Sequence, residues 1–334
     1  MSRRILTGIT TTGIPHIGNY FGAIKPALQL SCEKNVSSYF FLADLHAIIK
    51  QTNPNEIKVS VNEVALAWLS SGLDPEKSFF YRQSNIPEIT ELAWILSCVT
   101  AKGLINRSHA YKAAVQLNHD HTKDEDKGIS MGLFSYPVLM AADILMFNSS
   151  HVPVGNDQLQ HLEITRDIAE KFNHQYGNTF VIPEAIINKD GKLLVGHDGR
   201  KMSKSYNNVI PFLSSEKELK KAISKIVTNS LEPGEPKDHS SCNLFLIYSA
   251  FASSENIAEM KEKYKNGIGW GDAKEHVFNE LNSLIIPLRE KYLELKDQPH
   301  YLDEVLALGA EKVRPQAKEL LLKIKDLVGI SSIS

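Results

Sequence analysis

Two short stretches, at either end of the first two thirds of the chain, carry residue types suited to handling phosphate. The first, Thr7–Tyr20, reads TGITTTGIPHIGNY. Gly8, Gly13 and Gly18 let backbone approach a ligand closely. The run leads from an expected strand at Ile5–Ile9 into an expected helix at about Gly18–Leu30, whose free N–H groups and positive dipole end favour an anion. His16 stands just before that helix, where an imidazole can donate to a phosphate oxygen. Neither a P-loop nor a GxGxxG fingerprint is present, and taken alone the segment is equally well a Gly-rich turn with a capping histidine. The second stretch, Lys201–Ser205, reads KMSKS and follows Gly199 and Arg200. Lysine is a compact charge on a flexible stem, so two of them flanking a serine make a clamp that can follow a departing polyphosphate. Alone it is a solvated basic loop. Both segments on one chain, in this order, favour nucleotide chemistry.

A third candidate is a carboxylate. Tyr136–Asp143 reads YPVLMAAD, a buried helix with one acid near its end. An aspartate so placed needs a donor, because an unpaired buried charge is costly. Asp143 is therefore either a structural ion pair or cap, or the acceptor for a ligand donor. Indole, with a single N–H and a flat apolar body, is such a ligand. Met140, at i−3 on the same face, would pack well on an aromatic ring. In Val152–Gln158 (VPVGNDQ) a strand ends at Gly155 and a helix begins near Asp157, a natural N-cap. Asp44 and His46 follow the apolar run Tyr39–Ala43, where open α/β sheets bind ligands. His46 either orders a pocket or is a satisfied structural histidine.

The elements that must position these groups are strands alternating with helices. Tyr39–Ala43, Ser78–Arg82 and Val152–Val154 read as strands. Helices are expected from Asn53 or Asn55 to Ser70, over Ile89–Val99 and over Leu159–Phe172. Such alternation predicts an α/β fold with a doubly wound parallel sheet. Asn118–Lys127 reads as an exposed loop or helix end, and the His119/His121 pair within it as solvated rather than metal-binding. After about Pro211 the pattern is helical, at Glu216–Val227, Ile257–Lys265, Trp270–Tyr292 and Leu302–Leu327. We therefore expect a catalytic domain over 1–206 and an all-α domain over 207–334.

Composition sets outer bounds. The chain has 334 residues, 43% of them hydrophobic and 23% charged, with a formal charge of −2. This is an ordinary globular make-up, and overall basicity gives no hint of a nucleic-acid partner. Cys32, Cys98 and Cys242 include no CxxC pair. They are expected to be small buried hydrophobes in a reducing, cytoplasmic setting, with no metal site. The N-terminus reads as mature sequence, and no apolar run has the length of a membrane span.

Pro15–Asn19 (PHIGN) resembles the HIGH motif of class I aminoacyl-tRNA synthetases, and Lys201–Ser205 matches their KMSKS motif letter for letter. Asn19 followed by Tyr20 is typical of the tryptophanyl branch, of bacterial type. Ala43–Ile48 (ADLHAI), Ser135–Leu145 (SYPVLMAADIL), VPVGNDQ and His161–Asn173 resemble blocks of that branch in order and spacing, so the resemblance covers roughly residues 3–330.

The resemblance implies a Rossmann-like fold and two-step aminoacylation. ATP with Mg²⁺ activates L-tryptophan, and the amino acid then passes to the 2′-hydroxyl of the terminal adenosine of tRNA(Trp). It implies catalytic roles for His16, Asn19, Lys201, Ser203 and Lys204. ATP would lie among Thr10, Thr11, Thr12, Gly18, Asn19, Lys112, Gly155, Asp157, Gln158, Lys201, Met202, Ser203, Lys204 and Ser205. Tryptophan would lie among Leu6, Gly8, His46, Tyr136, Met140, Asp143, Val152, Val154 and Gln158, with Asp143 on the indole nitrogen. Thr10, Leu6 and Ser97 depart from residues common in the branch and bear on pocket shape. The resemblance further implies a homodimer with its interface around Trp94 and at about 98–150. It also implies an anticodon-reading helical domain, whose last helix packs back on the catalytic domain, with phosphate contacts from a few of Lys217, Lys220, Lys221, Lys225, Lys261, Lys263 and Lys265. The rivals are a tyrosine–tRNA ligase, whose pocket must serve a phenol, an inactive synthetase-like binding protein, and an adenylyltransferase of the same superfamily.

Overall fold

The computed structural model describes residues 3–11, 13–121, 124–155, 158–187, 194–203 and 206–331. Thr12, Asp157, Lys204 and Ser205 lie outside them. Five parallel strands form one sheet: β1 (Arg3–Thr10), β2 (Val36–Ala43), β3 (Phe79–Arg82), β4 (His151–Val154) and β5 (Glu184–Ile187), in the order β3-β2-β1-β4-β5. Order reverses between β1 and β4, the crevice where doubly wound sheets take ligands. β2 alternates between two apolar layers, Phe40 and Leu42 facing one and Tyr39, Phe41 and Ala43 the other. That burial on both faces is why its sequence reads as an unbroken apolar run.

The helices follow in chain order. α1 (Ile17–Asn19) runs through a π-helical stretch, Tyr20–Ile24, into α2 (Lys25–Ser31). A π stretch inside a helix is uncommon and often adjoins a functional site; here Tyr20 stacks on Phe212 at 4.5 Å. α3 (Asp44–Ala47) follows β2, then α4 (Pro54–Ser70), whose N-cap is Asn53, its side chain accepting from the Asn55 N–H. A 3₁₀ turn, Gln83–Asn85, links β3 to α5 (Pro87–Val99). Then come α6 (Lys102–Ile105), α7 (His109–Asp120), α8 (Met131–Met146) and α9 (Leu159–Tyr176). After β5 the described elements are all helical: α10 (Glu216–Ser224), α11 (Asn243–Tyr248), α12 (Ser254–Lys265), α13 (Trp270–Lys296) and α14 (Pro299–Leu327).

The apolar core continues across residue 207, since Ile17 and Trp68 share a cluster with Leu244, Tyr264 and Phe278. α14 lies against β3 so closely that a Cβ on Gly309 would stand 1.8 Å from the Phe80 carbonyl oxygen.

Two expectations need correction, and one strand is additional to those expected. Cys242 is buried, but Cys32 and Cys98 are exposed, because Cys32 caps the end of α2 and Cys98 lies on the outer face of α5. Asn118 lies at a helix end, one of the two expected alternatives, but it is not exposed. It is buried on α7, its amide donating to the Glu125 and Lys127 carbonyls at 2.8 and 2.9 Å. Finally, β5 carries no strand signal in sequence beyond Ile186 and Ile187.

Candidate active site

At the reversal of strand order lies a cavity of about 370 Å³, lined by Leu6, Gly8 and Thr10 of β1, Val152 and Val154 of β4, and Tyr136, Met140 and Asp143 of α8. His46 and Gln158 also line it. All nine residues expected around tryptophan thus line one cavity. Gly8 is required by a close approach, since a Cβ there would stand 2.7 Å from Cζ of Phe41, another lining residue.

Asp143 is 1% exposed. Burial pushes its carboxyl above the usual aspartate range, opposed by the hydrogen bonds of His46 and Gln83. The imidazole Nε2 of His46 is 3.0 Å from Oδ2, and Nε2 of Gln83 donates to Oδ1 and Oδ2 at 2.8 and 2.9 Å. Asp143 thus has the structural partners of the first reading, and it also lines the cavity. His46 likewise both bonds Asp143 and lines the cavity. The Tyr136 hydroxyl pairs with the ring of His161, a buried residue of α9, and burial raises the phenol's pKa.

The two signature segments meet. His16 and Pro211 form a β-bridge, and the Ile17 N–H donates to the Ile210 carbonyl at 3.0 Å. Asn19 accepts from the His16 N–H at 3.0 Å, bending the turn back on itself. Gly18 sits under the His16 ring, where a Cβ would be 2.9 Å from Nδ1 and 3.5 Å from Sδ of Met202. Met202 itself is buried and joins the core with Ile17 and Ile210.

The second segment is shaped by Asn208, which is 0% exposed. Its Oδ1 accepts from the Ser203 N–H at 2.8 Å, and its Nδ2 donates to Asp198 Oδ1 at 2.7 Å and to the Lys201 carbonyl at 3.1 Å. Together with the Arg200 guanidinium, Asn208 holds the Asp198 carboxyl down at about 2. Lys201 is left exposed at the end of a small bridge to Val195.

Some expected residues lie elsewhere. Lys112 is exposed on α7 and does not line the cavity, although Ala110 does. Ser97 is exposed on α5, its hydroxyl on the Ala93 carbonyl, so this departure does not touch the cavity. Thr11 is buried, with a hydroxyl that finds no partner among the described residues. Gly155 is exposed beyond β4, its carbonyl accepting from the Gln158 N–H at 2.9 Å.

Besides apolar lining residues such as Phe41, Ile49 and Leu133, two polar residues were missed. Gln83 reads in sequence as an ordinary polar residue after a strand, and Lys50 as a surface lysine. Lys50 lines the cavity. Among the described residues, no three or more His, Cys, Asp and Glu gather as a metal site, and no helix is long and apolar enough to cross a membrane.

Comparison with known proteins agrees with this geometry. The family described as tRNA synthetases class I (W and Y) matches residues 2–285. The chain is 52% identical to a tryptophan–tRNA ligase of Neisseria meningitidis over 98% of both chains. It is also 52% identical to one of Pseudomonas aeruginosa, over 100% of this chain and 75% of that protein. A tryptophanyl-tRNA synthetase from Campylobacter jejuni, complexed with ADP and tryptophan, superposes with a TM-score of 0.88 at 45% identity, covering 98% of this chain and 99% of that one. Matched by this family over most of its length and by relatives at this identity over the full chain, the chain belongs to the class I tRNA synthetases of the tryptophan and tyrosine group, among the bacterial tryptophan–tRNA ligases.

Proposed function

We propose that this chain is an ATP-dependent tryptophan–tRNA ligase whose indole pocket is the cavity around Asp143. One observation carries the substrate choice. Among the described residues, the contacts of the Asp143 carboxylate fill three of its roughly four acceptor positions, leaving room for one donor. Indole supplies one N–H. Met140, Val152 and Val154 offer it apolar walls, and a site built to receive a hydrogen bond rejects analogues lacking the donor by far more than shape alone can.

In the first step the tryptophan carboxylate attacks the α-phosphate of Mg²⁺-bound ATP, and pyrophosphate leaves. No protein nucleophile is needed, so the chain contributes positioning and charge. Tyr136 and Gln158 hold the amino and carboxyl end. Thr10, Thr11, Gly18 and Gly155, with Thr12 and Asp157, form the adenosine and phosphate cradle, and His16 and Asn19 steady the phosphates. Lys201, Met202 and Ser203, with Lys204 and Ser205, close on the leaving group, and Lys112 reaches the triphosphate on closure. In the second step the terminal 2′-hydroxyl of tRNA(Trp) attacks the carbonyl of the adenylate, taking the tryptophanyl group as an ester while the acyl–phosphate bond breaks and AMP leaves. The helices from α10 onward read the anticodon, where Lys217, Lys221 and Lys225 are exposed, whereas Lys220, Lys263 and Lys265 are paired with Glu275, Glu259 and Glu262. The working form is a cytoplasmic homodimer. Trp94 on α5 and Met131 on α8, exposed at 72% and 73%, support an interface on these two packed helices.

ATP–pyrophosphate exchange with tryptophan and tyrosine offered separately tests the assignment. Exchange with tryptophan is expected, and exchange with tyrosine alone would overturn it. Replacing Lys201 and Lys204 together by Ala is expected to slow exchange by about 10² or more while tryptophan affinity, read by fluorescence titration, changes little. Equal losses in both would remove the clamp role.

A further inference from the structure

Gln83 is 0% exposed, in the 3₁₀ turn at the carboxyl end of β3. A buried primary amide has two ends to satisfy, and here each has a partner. Its Oε1 accepts from the Leu45 N–H at 3.2 Å. Its Nε2 lies 2.8 Å from Oδ1 and 2.9 Å from Oδ2 of Asp143, nearly equidistant from both. This arrangement admits only one orientation of the amide. A flipped group would set its carbonyl against a carboxylate and its NH₂ against an N–H, leaving both buried and unsatisfied.

The turn itself is latched. The Ser84 N–H donates to Oδ1 of Asp44 at 3.0 Å, and Oδ1 of Asp44 also accepts from the Leu45 N–H at 3.1 Å. α3 and the 3₁₀ turn therefore form one unit that presents the amide of Gln83 to α8. A single nitrogen on both carboxylate oxygens lies near the bisector of the group and resists its rotation. His46 alone, on one oxygen, would leave the carboxylate plane free to turn.

We propose that Gln83 is a positioning residue for amino-acid specificity: it fixes the plane of the Asp143 carboxylate so that the remaining acceptor lobe faces the substrate's ring N–H. The inference rests on the reading of Asp143 as the indole partner. Gln83 lies behind Asp143 and is not among the residues lining the cavity, so its effect is exerted through the carboxylate.

The test is the ratio of kcat/KM for L-tryptophan to that for its benzothiophene isostere, in which sulfur replaces the ring N–H, measured by ATP–pyrophosphate exchange. Losses of folding or of general catalytic power affect both substrates alike and cancel in this ratio. The wild type is expected to favour tryptophan by about 10²-fold or more. Gln83→Met keeps the side-chain length and cannot donate. Gln83→Glu keeps the shape and the acceptor for Leu45 but sets acid against acid, so it reports even if the Met variant does not fold. Each is expected to lower the ratio by about tenfold, mainly through a higher KM for tryptophan. A ratio unchanged in the folded Gln83 variants, with Asp143→Ala lowering it, would overturn the role of Gln83 alone. A ratio unchanged in Asp143→Ala would overturn the reading of Asp143 on which the inference rests.

Discussion

On the proposed reading, Asp143 combines a role in recognition with a cost in stability. Its neighbours are His46, Asp44 and the buried Tyr81, and burial is the largest influence on its carboxyl, raising it from 3.8. Because its folded value lies above the unfolded one, the group's contribution to folding is fully present below the unfolded value and is lost as pH rises through the folded value. Recognition runs the other way, since the charged carboxylate is the better acceptor. On acidification, kcat/KM for tryptophan is therefore expected to fall, beginning above the pH at which an ordinary aspartate titrates. A pH profile that stays flat until the usual aspartate range would contradict this. Gly8 makes a second prediction at the same scale. With Phe41 Cζ 2.7 Å from the position of a Cβ, Gly8→Ala must push that ring, which lines the cavity. KM for tryptophan is expected to rise about tenfold, with a stability loss of about 1–3 kcal/mol read by denaturant unfolding. Unchanged binding would show that the ring moves away from the cavity instead.

The loop carrying Lys201 and Ser203 belongs to no strand or helix, and its shape comes from Asn208. This one buried amide bonds the Ser203 N–H, the Lys201 carbonyl and the Asp198 carboxylate. The Asp198 contact is present above about pH 3.8, the group's unfolded value, and is lost as pH falls towards about 2. Asn208→Ala is expected to reduce the rate of ATP–pyrophosphate exchange by about tenfold or more while leaving the equilibrium affinity for tryptophan near wild type. Parallel losses in rate and affinity would mean that Asn208 supports the whole domain and not this loop. The KMSKS string is legible in sequence because its chemistry lies in its residue types. The lock on its shape is not, because Asn208 looks like any other polar residue in a loop until its partners are known.

At the scale of the whole chain, the helical half and the sheet are fastened to each other. Gly309 lets α14 approach the Phe80 carbonyl, Arg314 pairs with the buried Glu88 at 3.0 Å, and Gln316 accepts from the Tyr39 hydroxyl at 2.9 Å. β3 leads directly into the turn of Gln83, so α14 braces the strand that ends behind the cavity. Gly309→Ala cannot be accommodated without moving α14 from β3. It is expected to cost about 3 kcal/mol or more, seen as a lower Tm, while far-UV dichroism and tryptophan fluorescence still report one coincident transition. Separate transitions for the two probes would show that the helical part and the sheet unfold independently.

What the sequence determines by itself are properties carried over short spans. The apolar run of β2, a cap at Asn53 or Asn55, the two signature strings and the lone acid of α8 are all readable because each is a local matter of residue type and spacing. Tertiary structure alone decides which polar groups share a buried space. Gln83 meets Asp143 across 60 positions of chain, Tyr39 meets Gln316 across 277, and the His16 turn meets Met202. A hydrogen bond depends on distance and direction in space, and neither leaves a trace in the spacing of residues that only the packed sheet and helices bring together.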